Sequence, residues 1–361
     1  MKIMVGMHHP KQFWMFKNLI LAGQKKGWEF MILVSEKDIL KDLLKSAGFE
    51  FHIIGKNRPT ILRKCLEFFR YFYNTYRYSK KFKPDVYIAQ ALPHFGFVSF
   101  LRGADYYIFE DTEKVSILHG ITIPCCTNVF TPDCFEKELG KKQIKINTYF
   151  ELLYLHPIYF TPEPSILEIL GISKDEKYVI LRFVSWTAHH DVGHLGLNLD
   201  MKRKAVREFS KYARVFISSE KELPEDLEKY RIKISPQKMH DALYYATLLY
   251  GESATMATEC AVLGTPAIFL DNDGRSTTDE EEKNYSLVFN YSESLVDQEL
   301  SIQKGIELLK QVNLKQEWVT RRQKMLSEKI DVTAFLVWLI ENYPESTRMM
   351  NEKPNYQQRF K

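Results

Sequence analysis

The sequence of 361 residues lacks several features that would place it in a special class. It has no apolar run of about 18 residues, the length that predicts a membrane-spanning helix. Its first residues, MKIMVGMHHP, contain no long apolar stretch like that of a secretory signal. The cysteines number five and form no Cys-x-x-Cys pair, which favours reduced thiols. We therefore expect a cytoplasmic protein.

The composition is typical of a folded domain with a sizeable core, because 45% of the residues are hydrophobic and 27% are charged. Aromatic residues make up 14%, which is high and predicts that some of them line a cleft or an interface. The formal net charge is +4, and the basic excess falls in residues 1–165. That half can face an anionic partner such as a phosphate or a membrane surface, or can simply carry a mixed surface.

Buried strands alternate with amphipathic helices along the chain, which predicts βαβ units and parallel sheets. The predicted strands are residues 2–5, 29–34, 51–54, 85–89 and 106–109, then 178–183, 214–218, 248–251 and 266–270. Prolines at 157, 162 and 164 mark a linker between the two series. The fold class is therefore α/β, with two Rossmann-like doubly wound domains facing a cleft.

Three segments follow from this division: an acceptor domain at 1–160, a nucleotide-sugar domain at 161–330, and a last segment at 331–361. The apolar spacing of 331–342 predicts a packed helix, which we expect to return to the first domain. Ligands of open α/β sheets bind outside the carboxyl ends of the strands, so the loops that follow the strands are the candidate site.

The most informative stretch is 236–270, where a helix, a short strand, a turn of small residues and a second helix follow one another. The turn contains Ser253, Ala254, Thr255 and Met256, and the helix after it offers free N–H groups to a phosphate. Glu259 lies one turn further on the same face. A carboxylate there can accept both hydroxyls of a ribose, although an ordinary capped βαβ turn has the same pattern.

This stretch resembles the nucleotide-binding segment of UDP-GlcNAc 2-epimerase and its glycosyltransferase-B relatives. Their pattern is an acid, Ser, two Gly, two variable residues and two Glu, then an apolar helix that ends in Leu-Gly-Lys/Thr-Pro. Here it reads from Glu252 to Glu259 and then Leu-Gly-Thr-Pro at 263–266, with Ala254 and Thr255 in place of the glycines. The resemblance implies that Glu259 holds the ribose.

The whole chain also resembles a family of uncharacterised prokaryotic proteins described as a domain of unknown function. The segments that carry this resemblance are HPKQFWMFKNLI, KFKPDVYI, ILRFVSWTAHHDVGH and IDVTAFLVWLIENYP. It implies the glycosyltransferase-B fold and leaves the reaction open.

A second polar segment follows the predicted strand 178–183. It supplies a cation for a pyrophosphate, hydroxyls and an imidazole for phosphate oxygens, and an indole to stack on a base or sugar. The candidate binding residues are Arg182, Ser185, Trp186, Thr187 and His190. His190 and His194 have a spacing that also suits zinc, but neighbouring glycines argue against a rigid helix, and we expect no metal.

The candidate catalytic residues follow strands of the first half. His8 and His9 come directly after the first strand and can act as a base or cap the next helix. Glu110 and Asp111 end the strand 106–109. Glu110 matches the catalytic Glu of the epimerase pattern, while both carboxylates can instead cap a helix. The stretch 89–94 lacks the acid that the epimerase carries one strand earlier, which weakens the epimerase interpretation.

Residues 63–83 interleave aromatic and basic side chains. The preferred interpretation is a crossover helix with a basic outer face, and the alternative is contact with an anionic membrane. Nucleic acid is a weaker option and is not expected as a partner.

Together these patterns predict a glycosyltransferase of glycan or surface polysaccharide metabolism that uses a UDP-type sugar as substrate. No cofactor is expected, and the acceptor is a glycan or a lipid-linked sugar. The alternatives are a UDP-sugar epimerase or hydrolase and a non-catalytic sugar-nucleotide binding protein. The sequence leaves the oligomeric state open.

Overall fold

The structure is a computed structural model that describes residues 1–56, 61–173, 175–184, 196–219 and 222–361, with the backbone alone for 61–65. The described chain divides into two compact units. The first unit comprises Met1–Tyr154 and Ile330–Lys361, and the second comprises Leu155–Lys329.

The described part of the first unit contains a parallel sheet of seven strands in the order β3-β2-β1-β4-β5-β6-β7. The strands are β1 (Lys2–Met7), β2 (Glu29–Glu36), β3 (Phe51–Lys56), β4 (Val86–Ala89), β5 (Asp105–Phe109), β6 (Asn128–Pro132) and β7 (Gln143–Ile146). The strands at the middle of the sheet are buried along almost their whole length, as parallel strands covered by helices on both faces must be.

Helices connect these strands and cover the sheet. They are α1 (Pro10–Lys25), α2 (Asp38–Ser46), α3 (Ile61–Phe82), α4 (Pro93–Arg102), α5 (Ser116–Thr122) and α6 (Leu152–Leu155). Two of them begin with proline at the first helical position, where its missing N–H costs nothing. On the side of α3 that packs on the sheet, Thr75 and Ser79 are buried. The Ser79 hydroxyl forms a hydrogen bond with the Tyr87 hydroxyl on β4.

The second unit has a parallel five-stranded sheet in the order β12-β11-β10-β8-β9 among its described residues. Its strands are β8 (Tyr178–Phe183), β9 (Arg214–Ser219), β10 (Leu248–Gly251), β11 (Ala267–Leu270) and β12 (Val288–Tyr291). Its helices are α7 (Ser165–Leu170), α8 (Leu199–Phe209), α9 (Glu225–Glu228), α10 (Met239–Tyr245), α11 (Ala254–Leu263), α12 (Ser276–Tyr285), α13 (Leu295–Lys310) and α14 (Leu314–Glu328).

The last part of the chain belongs to the first unit. It forms α15 (Val332–Glu341) and α16 (Glu345–Glu352). The Ile330 amide donates to the Asn147 carbonyl at 3.0 Å, and the Thr333 hydroxyl donates to the Leu153 carbonyl at 3.0 Å. The ring of Phe335 lies edge-on to a phenylalanine of β6. These contacts attach the segment to the edge of the sheet that β6 and β7 form.

Several elements that periodicity did not predict are present: β6, β7, α4, α12 and β12. The strands among them have four or five residues, too few for a period to show. Within the described residues, no helix is long and apolar enough to cross a membrane.

Candidate functional site

The strand order reverses once in each sheet. In the first unit the reversal lies between β1 and β4, and in the second it lies between β8 and β10. Open α/β sheets bind ligands outside the carboxyl ends of the strands at such a reversal. His8 follows β1 and Gln90 follows β4, while Arg182 is near the end of β8 and Glu252 follows β10. The topology therefore gathers most of the predicted residues at these two points.

The turn after β10 depends on Gly251. Its φ is +154°, and a Cβ atom there would lie 2.1 Å from the carbonyl oxygen of Arg182. The next amide, that of Glu252, donates to the same oxygen at 3.0 Å. A glycine is therefore required where the backbones of β8 and β10 lie side by side.

Helix α11 begins at this turn with a side-chain cap. The Ser253 hydroxyl accepts from the Met256 amide at 3.3 Å, and the first turn contains no acidic residue. Ser253, Ala254 and Thr255 are half-buried, so solvent reaches the start of the helix. Backbone N–H groups and the helix dipole together favour an anion at this end.

Glu259 lies on the same helix and is only 6% exposed. Its Oε1 atom is 3.1 Å from Nε2 of His240, which is also buried and packs edge-on against Phe160. His240 is on α10, and the sequence pattern did not point to it. The structure thus places the predicted ribose ligand in a buried carboxylate–imidazole pair, and its contact with a ribose stays a prediction.

Arg182 supplies a cation beside the turn. Its Nη1 donates to the Ser218 hydroxyl on β9 at 3.0 Å, and its Cα is paired in register with that of Gly251 on β10. The residue is half-buried, and its guanidinium, which stays charged at any ordinary pH, bonds towards β9 on the side of β8 away from β10. The strand that carries this permanent positive charge therefore lies next to the turn before α11.

Glu252, the acid that opens the pattern, binds backbone amides. Its Oε2 accepts from the Val184 amide at 2.9 Å and its Oε1 accepts from the Leu197 amide at 2.6 Å. The side chain is fully buried, and the Lys202 ammonium lies 3.7 Å away. One carboxylate therefore holds the chain at both ends of segment 185–195.

Glu293 adds a third contact next to these, since its Oε2 accepts from the Gly196 amide at 2.8 Å. The segment itself lies outside the described residues. The predicted contacts of Ser185, Trp186, Thr187 and His190 therefore remain predictions, and so does the absence of a metal at His190.

In the first unit, the His8 side chain lies in a stack of three rings. Its ring centroid is 4.8 Å from that of Tyr71 and 5.0 Å from that of His94, and the last two are 5.2 Å apart. The Nε2 atoms of both histidines are buried without a hydrogen-bond partner. His94 follows β4 and is 3% exposed. In the sequence, its segment 89–94 stood out only because it lacks an acidic residue.

Both imidazoles are neutral at neutral pH. Burial, reinforced by the charge of Lys37, lowers the pKa of His8 to about 3. Burial and the neighbouring His8 lower the pKa of His94 well below its usual value. A neutral imidazole has one nitrogen that can accept a proton, so the stack offers uncharged acceptors at the end of β1.

His9 has a different place from His8. It is exposed and forms the N-cap of α1, where its Nδ1 accepts from the Lys11 amide at 3.2 Å. Gln12 completes the cap by accepting from the His9 amide at 3.0 Å, and its own amide group donates to Gln90 at 2.6 Å. The structure therefore gives His9 the capping role that was the alternative to catalysis.

Asp111 belongs to a buried ion cluster. The Lys11 ammonium is 2.5 Å from Asp111 and 2.7 Å from Glu151, and all three side chains are at most 13% exposed. Burial alone would lower the pKa of Lys11, but the two carboxylates outweigh it and raise the pKa. Burial raises the pKa of Glu151, against the opposing effect of Lys11. Asp111 can therefore act as a base only by giving up its cation.

Glu110 is also buried, at 3% exposure. Its two oxygens accept from the Ala91 amide at 3.2 Å and the Thr112 amide at 2.9 Å, and the His119 ring nitrogen is 3.8 Å away. It thus joins the chain after β4 to the chain after β5. Of the four predicted bases, all of them within the described residues, His8 is the one with a buried ring nitrogen that has no partner.

Comparison with known proteins gives the family. Residues 1–279 match the family described as "Protein of unknown function (DUF354)". The chain belongs to this family. The family match confirms the predicted relation to a domain of unknown function, and its description assigns no reaction. No curated protein matches the sequence of the chain.

Solved structures of similar fold include a UDP-GlcNAc 2-epimerase and a rhamnosyltransferase. The UDP-GlcNAc 2-epimerase from Methanocaldococcus jannaschii is 14% identical, with a TM-score of 0.62 over 90% of this chain and 99% of that chain. The S. aureus MnaA–UDP co-structure is 14% identical, with a TM-score of 0.65 over 88% and 90%. The spinosyn rhamnosyltransferase SpnG complexed with spinosyn aglycone is 12% identical, with a TM-score of 0.64 over 95% and 100%.

At such low identity these likenesses show the fold alone. The predicted class, two Rossmann-like parallel-sheet units of the glycosyltransferase-B type, is confirmed. The relation to UDP-GlcNAc 2-epimerases, predicted from the 252–266 pattern, is confirmed at the level of the fold.

Proposed function

We propose that this protein is a sugar-nucleotide-dependent glycosyltransferase whose second unit binds the nucleotide diphosphate. The observation that carries the proposal is the start of α11, where a glycine turn, a serine cap and an acid-free first turn lie beside the Arg182 strand at the sheet reversal. Backbone amides and one guanidinium are the groups that stabilise a diphosphate, both when it is bound and when it leaves.

The first unit would bind the acceptor and supply the base. His8 is the best placed of the predicted bases, because its neutral ring has a nitrogen without a partner. A pKa of about 3 makes a weak base in the free protein, so the proposal requires that bound substrate raise it.

The nucleotide proposal is tested by placing one negative charge at the start of α11. Thr255→Glu puts a carboxylate at the second helical position after the Ser253 cap. Val296→Glu is the matched control, because it has the same position after the Ser294 cap of α13. Acids in a first turn favour the helix, so both variants should fold.

Calorimetric titration with UDP is then the readout. We expect Thr255→Glu to lose at least tenfold in affinity and Val296→Glu to bind like the parent. A parent chain that binds no nucleoside diphosphate or nucleotide sugar in a thermal-shift screen would overturn the proposal, because ligand binding to the native state must raise its stability.

The alternative activities differ from transfer in their need for an acceptor. Transfer releases UDP only when an acceptor hydroxyl is present, whereas epimerisation or hydrolysis of a UDP-sugar proceeds without one. Proton NMR of a UDP-sugar incubated with the chain, with and without a sugar acceptor, separates these cases. Binding without any turnover would indicate the non-catalytic sugar-nucleotide protein.

A further inference from the structure

Three neighbouring helices of the first unit present an unusual surface. Helix α4 packs against α3 on one side and against α5 on another, and the ring of Phe68 on α3 contacts that of Phe97 on α4 at 6.2 Å. We call their outer surface the α3–α5 face. It is formed by the exposed apolar residues Leu66, Phe69, Tyr73, Tyr76, Phe97, Phe100, Leu101, Ile117, Leu118 and Ile121.

The apolar residues of this face are strongly exposed and regularly spaced. Leu66, Phe69 and Tyr73 are 65%, 67% and 63% exposed, and their spacing along α3 places them on one side of the helix. Phe100 on α4 is 70% exposed, and Ile117 on α5 is 79% exposed. Single exposed apolar residues are ordinary, but so many of them on three neighbouring helices indicate an interaction surface.

Among the described residues of these helices, the exposed charges have one sign. Within α3, α4 and α5 the one acidic residue is Glu67, and it is buried, accepting from the Lys56 amide. The described basic residues of the three helices are all exposed: Arg70, Arg77, Lys80, Lys81 and Arg102. The face is therefore apolar and aromatic with a basic margin.

A surface pocket of about 330 Å³ lies within this margin. It is lined by Tyr73, Tyr76, Arg77, Lys80 and Lys81. Lysine and arginine side chains can lay their apolar stems along such a surface while their charged ends meet anionic headgroups. Tyrosine, with an apolar ring and a polar tip, suits the boundary between lipid and water.

We propose that the α3–α5 face docks on an anionic lipid surface. Apolar side chains enter the boundary between headgroups and acyl chains, while the basic margin attracts the headgroup phosphates. A second copy of this chain fits the face less well. In a two-fold interface each patch meets its own copy, so the basic margins would face each other and repel.

The buried side of α3 explains why the outer residues of the face can be exposed while the unit remains folded. Glu67, Thr75 and Ser79 are buried on the sheet side of α3, so the helix is attached independently of its outer residues. The preferred interpretation of α3 as a crossover helix and the alternative of membrane contact are thus compatible, because they concern opposite sides of one helix.

The test is co-sedimentation of the full chain with lipid vesicles. We expect it to bind vesicles of mixed phosphatidylcholine and phosphatidylglycerol, to bind less at high salt, and to bind pure phosphatidylcholine weakly. Phe100→Ser combined with Leu101→Ser removes apolar area, and Lys80→Glu combined with Lys81→Glu reverses the margin. Each double variant should lower the partition coefficient of the protein onto the anionic vesicles at least tenfold, which equals about 1.4 kcal/mol.

Matched controls come from the second unit. Leu295 and Val296 are 67% and 68% exposed, so Leu295→Ser with Val296→Ser removes a similar exposed pair. Lys229→Glu with Lys310→Glu reverses two exposed lysines there. Both controls should bind vesicles like the parent. Thermal unfolding of every variant checks the fold, and UDP titration should be unchanged in all of them, which separates this proposal from the proposed function.

Three outcomes would overturn the proposal. One is a parent chain that does not sediment with anionic vesicles, or that binds neutral vesicles equally well. A second is face variants that bind like their controls. The third is light scattering that shows a dimer which Phe100→Ser with Leu101→Ser dissociates, because the face would then be an interface between copies.

Discussion

The two units have the same kind of sheet but different chemistry where its strand order reverses. The first unit places side chains there: a neutral imidazole stack and a buried ion cluster around Lys11. The second unit places backbone there: a glycine turn and the start of a helix. The shared topology decides where a site forms, and the residues after each strand decide what the site can bind.

Buried carboxylates are compensated in two ways, and both ways occur in the first unit, where Glu110 accepts from two backbone amides. In the first unit Asp111 and Glu151 share the Lys11 ammonium. In the second, Glu252 is satisfied mainly by two backbone amides, with a lysine further away. A buried negative charge needs compensation in either form. Charge pairing organises an ion cluster, whereas amide binding holds the ends of a chain segment.

The largest loss of stability is expected from Lys11→Met, which tests the ion cluster of the first unit. Removal of the cation leaves the Asp111 and Glu151 carboxylates buried together, which typically costs about 3–5 kcal/mol. Denaturant unfolding measures it. Lys304→Met is the control, because Lys304 pairs with Glu307 at the surface, and such pairs contribute less than about 1 kcal/mol. Equal effects of the two variants would contradict a special role of the buried cluster.

The next effect is expected from Gly251→Ala in the second unit. The new Cβ would meet the Arg182 carbonyl oxygen, which belongs to the backbone of the adjacent strand. Backbone strain and overpacking together predict a loss of about 3 kcal/mol in unfolding free energy. Gly48→Ala tests φ alone, since Gly48 has φ +70° and no atom near the added Cβ, and should cost only about 1–2 kcal/mol. A Gly251→Ala chain as stable as Gly48→Ala would show that the two strands can separate.

Glu259→Ala tests whether the second unit binds the nucleotide through this carboxylate. Loss of a hydrogen bond to a charged group costs about 1.5–3 kcal/mol, so UDP affinity should fall at least tenfold in calorimetry. The control is Glu281→Gln, which should leave the affinity unchanged. The Glu281 carboxylate is also buried, and it accepts a hydrogen bond from Thr258, the neighbour of Glu259 on α11. Unaltered binding by Glu259→Ala would show that Glu259 does not hold the nucleotide.

The smallest effect, taken per group and per pH unit, concerns the two buried histidines of the first unit. His8 and His94 bind protons less readily in the folded chain than in the unfolded chain, because their folded pKa values are lowered. Stability should therefore fall as pH drops below about 6.5 towards 3, by at most about 1.4 kcal/mol per pH unit for each group. The dependence of the thermal midpoint on pH measures it.

His94→Phe keeps an aromatic ring in the stack and should make this dependence shallower. His52→Phe is the control, because His52 also stacks on a tyrosine ring but is exposed. Partial burial lowers its pKa as well, but we expect a smaller change of slope there. An unchanged slope in His94→Phe would mean that the buried imidazole is protonated as easily as a free one.

Much of the fold was predictable because its long elements carry a strong period. The helices α3 and α15 and the buried strands β1, β2 and β8 fall close to the predicted residues. The strands without a prediction, β6, β7 and β12, have four or five residues, too few for a period to distinguish strand from helix. Register and neighbours, which involve residues far apart in sequence, define them instead.

The site divides in the same way. Ser253 and the small turn before α11 were predictable because capping and close backbone approach have local sequence signals. The pairing of Glu259 with His240 and of Asp111 with Lys11 was not predictable, because the partners lie 19 and 100 residues apart. No local pattern marks them.

The sequence by itself determined the α/β class, the family relation and the positions after strands where polar residues gather. These depend on periodicity, on turn chemistry and on short motifs, all of which act between near neighbours in the chain. Only the tertiary structure decided which of the candidate groups are compensated: Asp111 by a lysine, Glu110 and Glu252 by amides, and His8 by none among the described residues. The physical reason is that pairing and burial of a charge are properties of residues brought together from distant parts of the chain, and these properties set whether a group can still react.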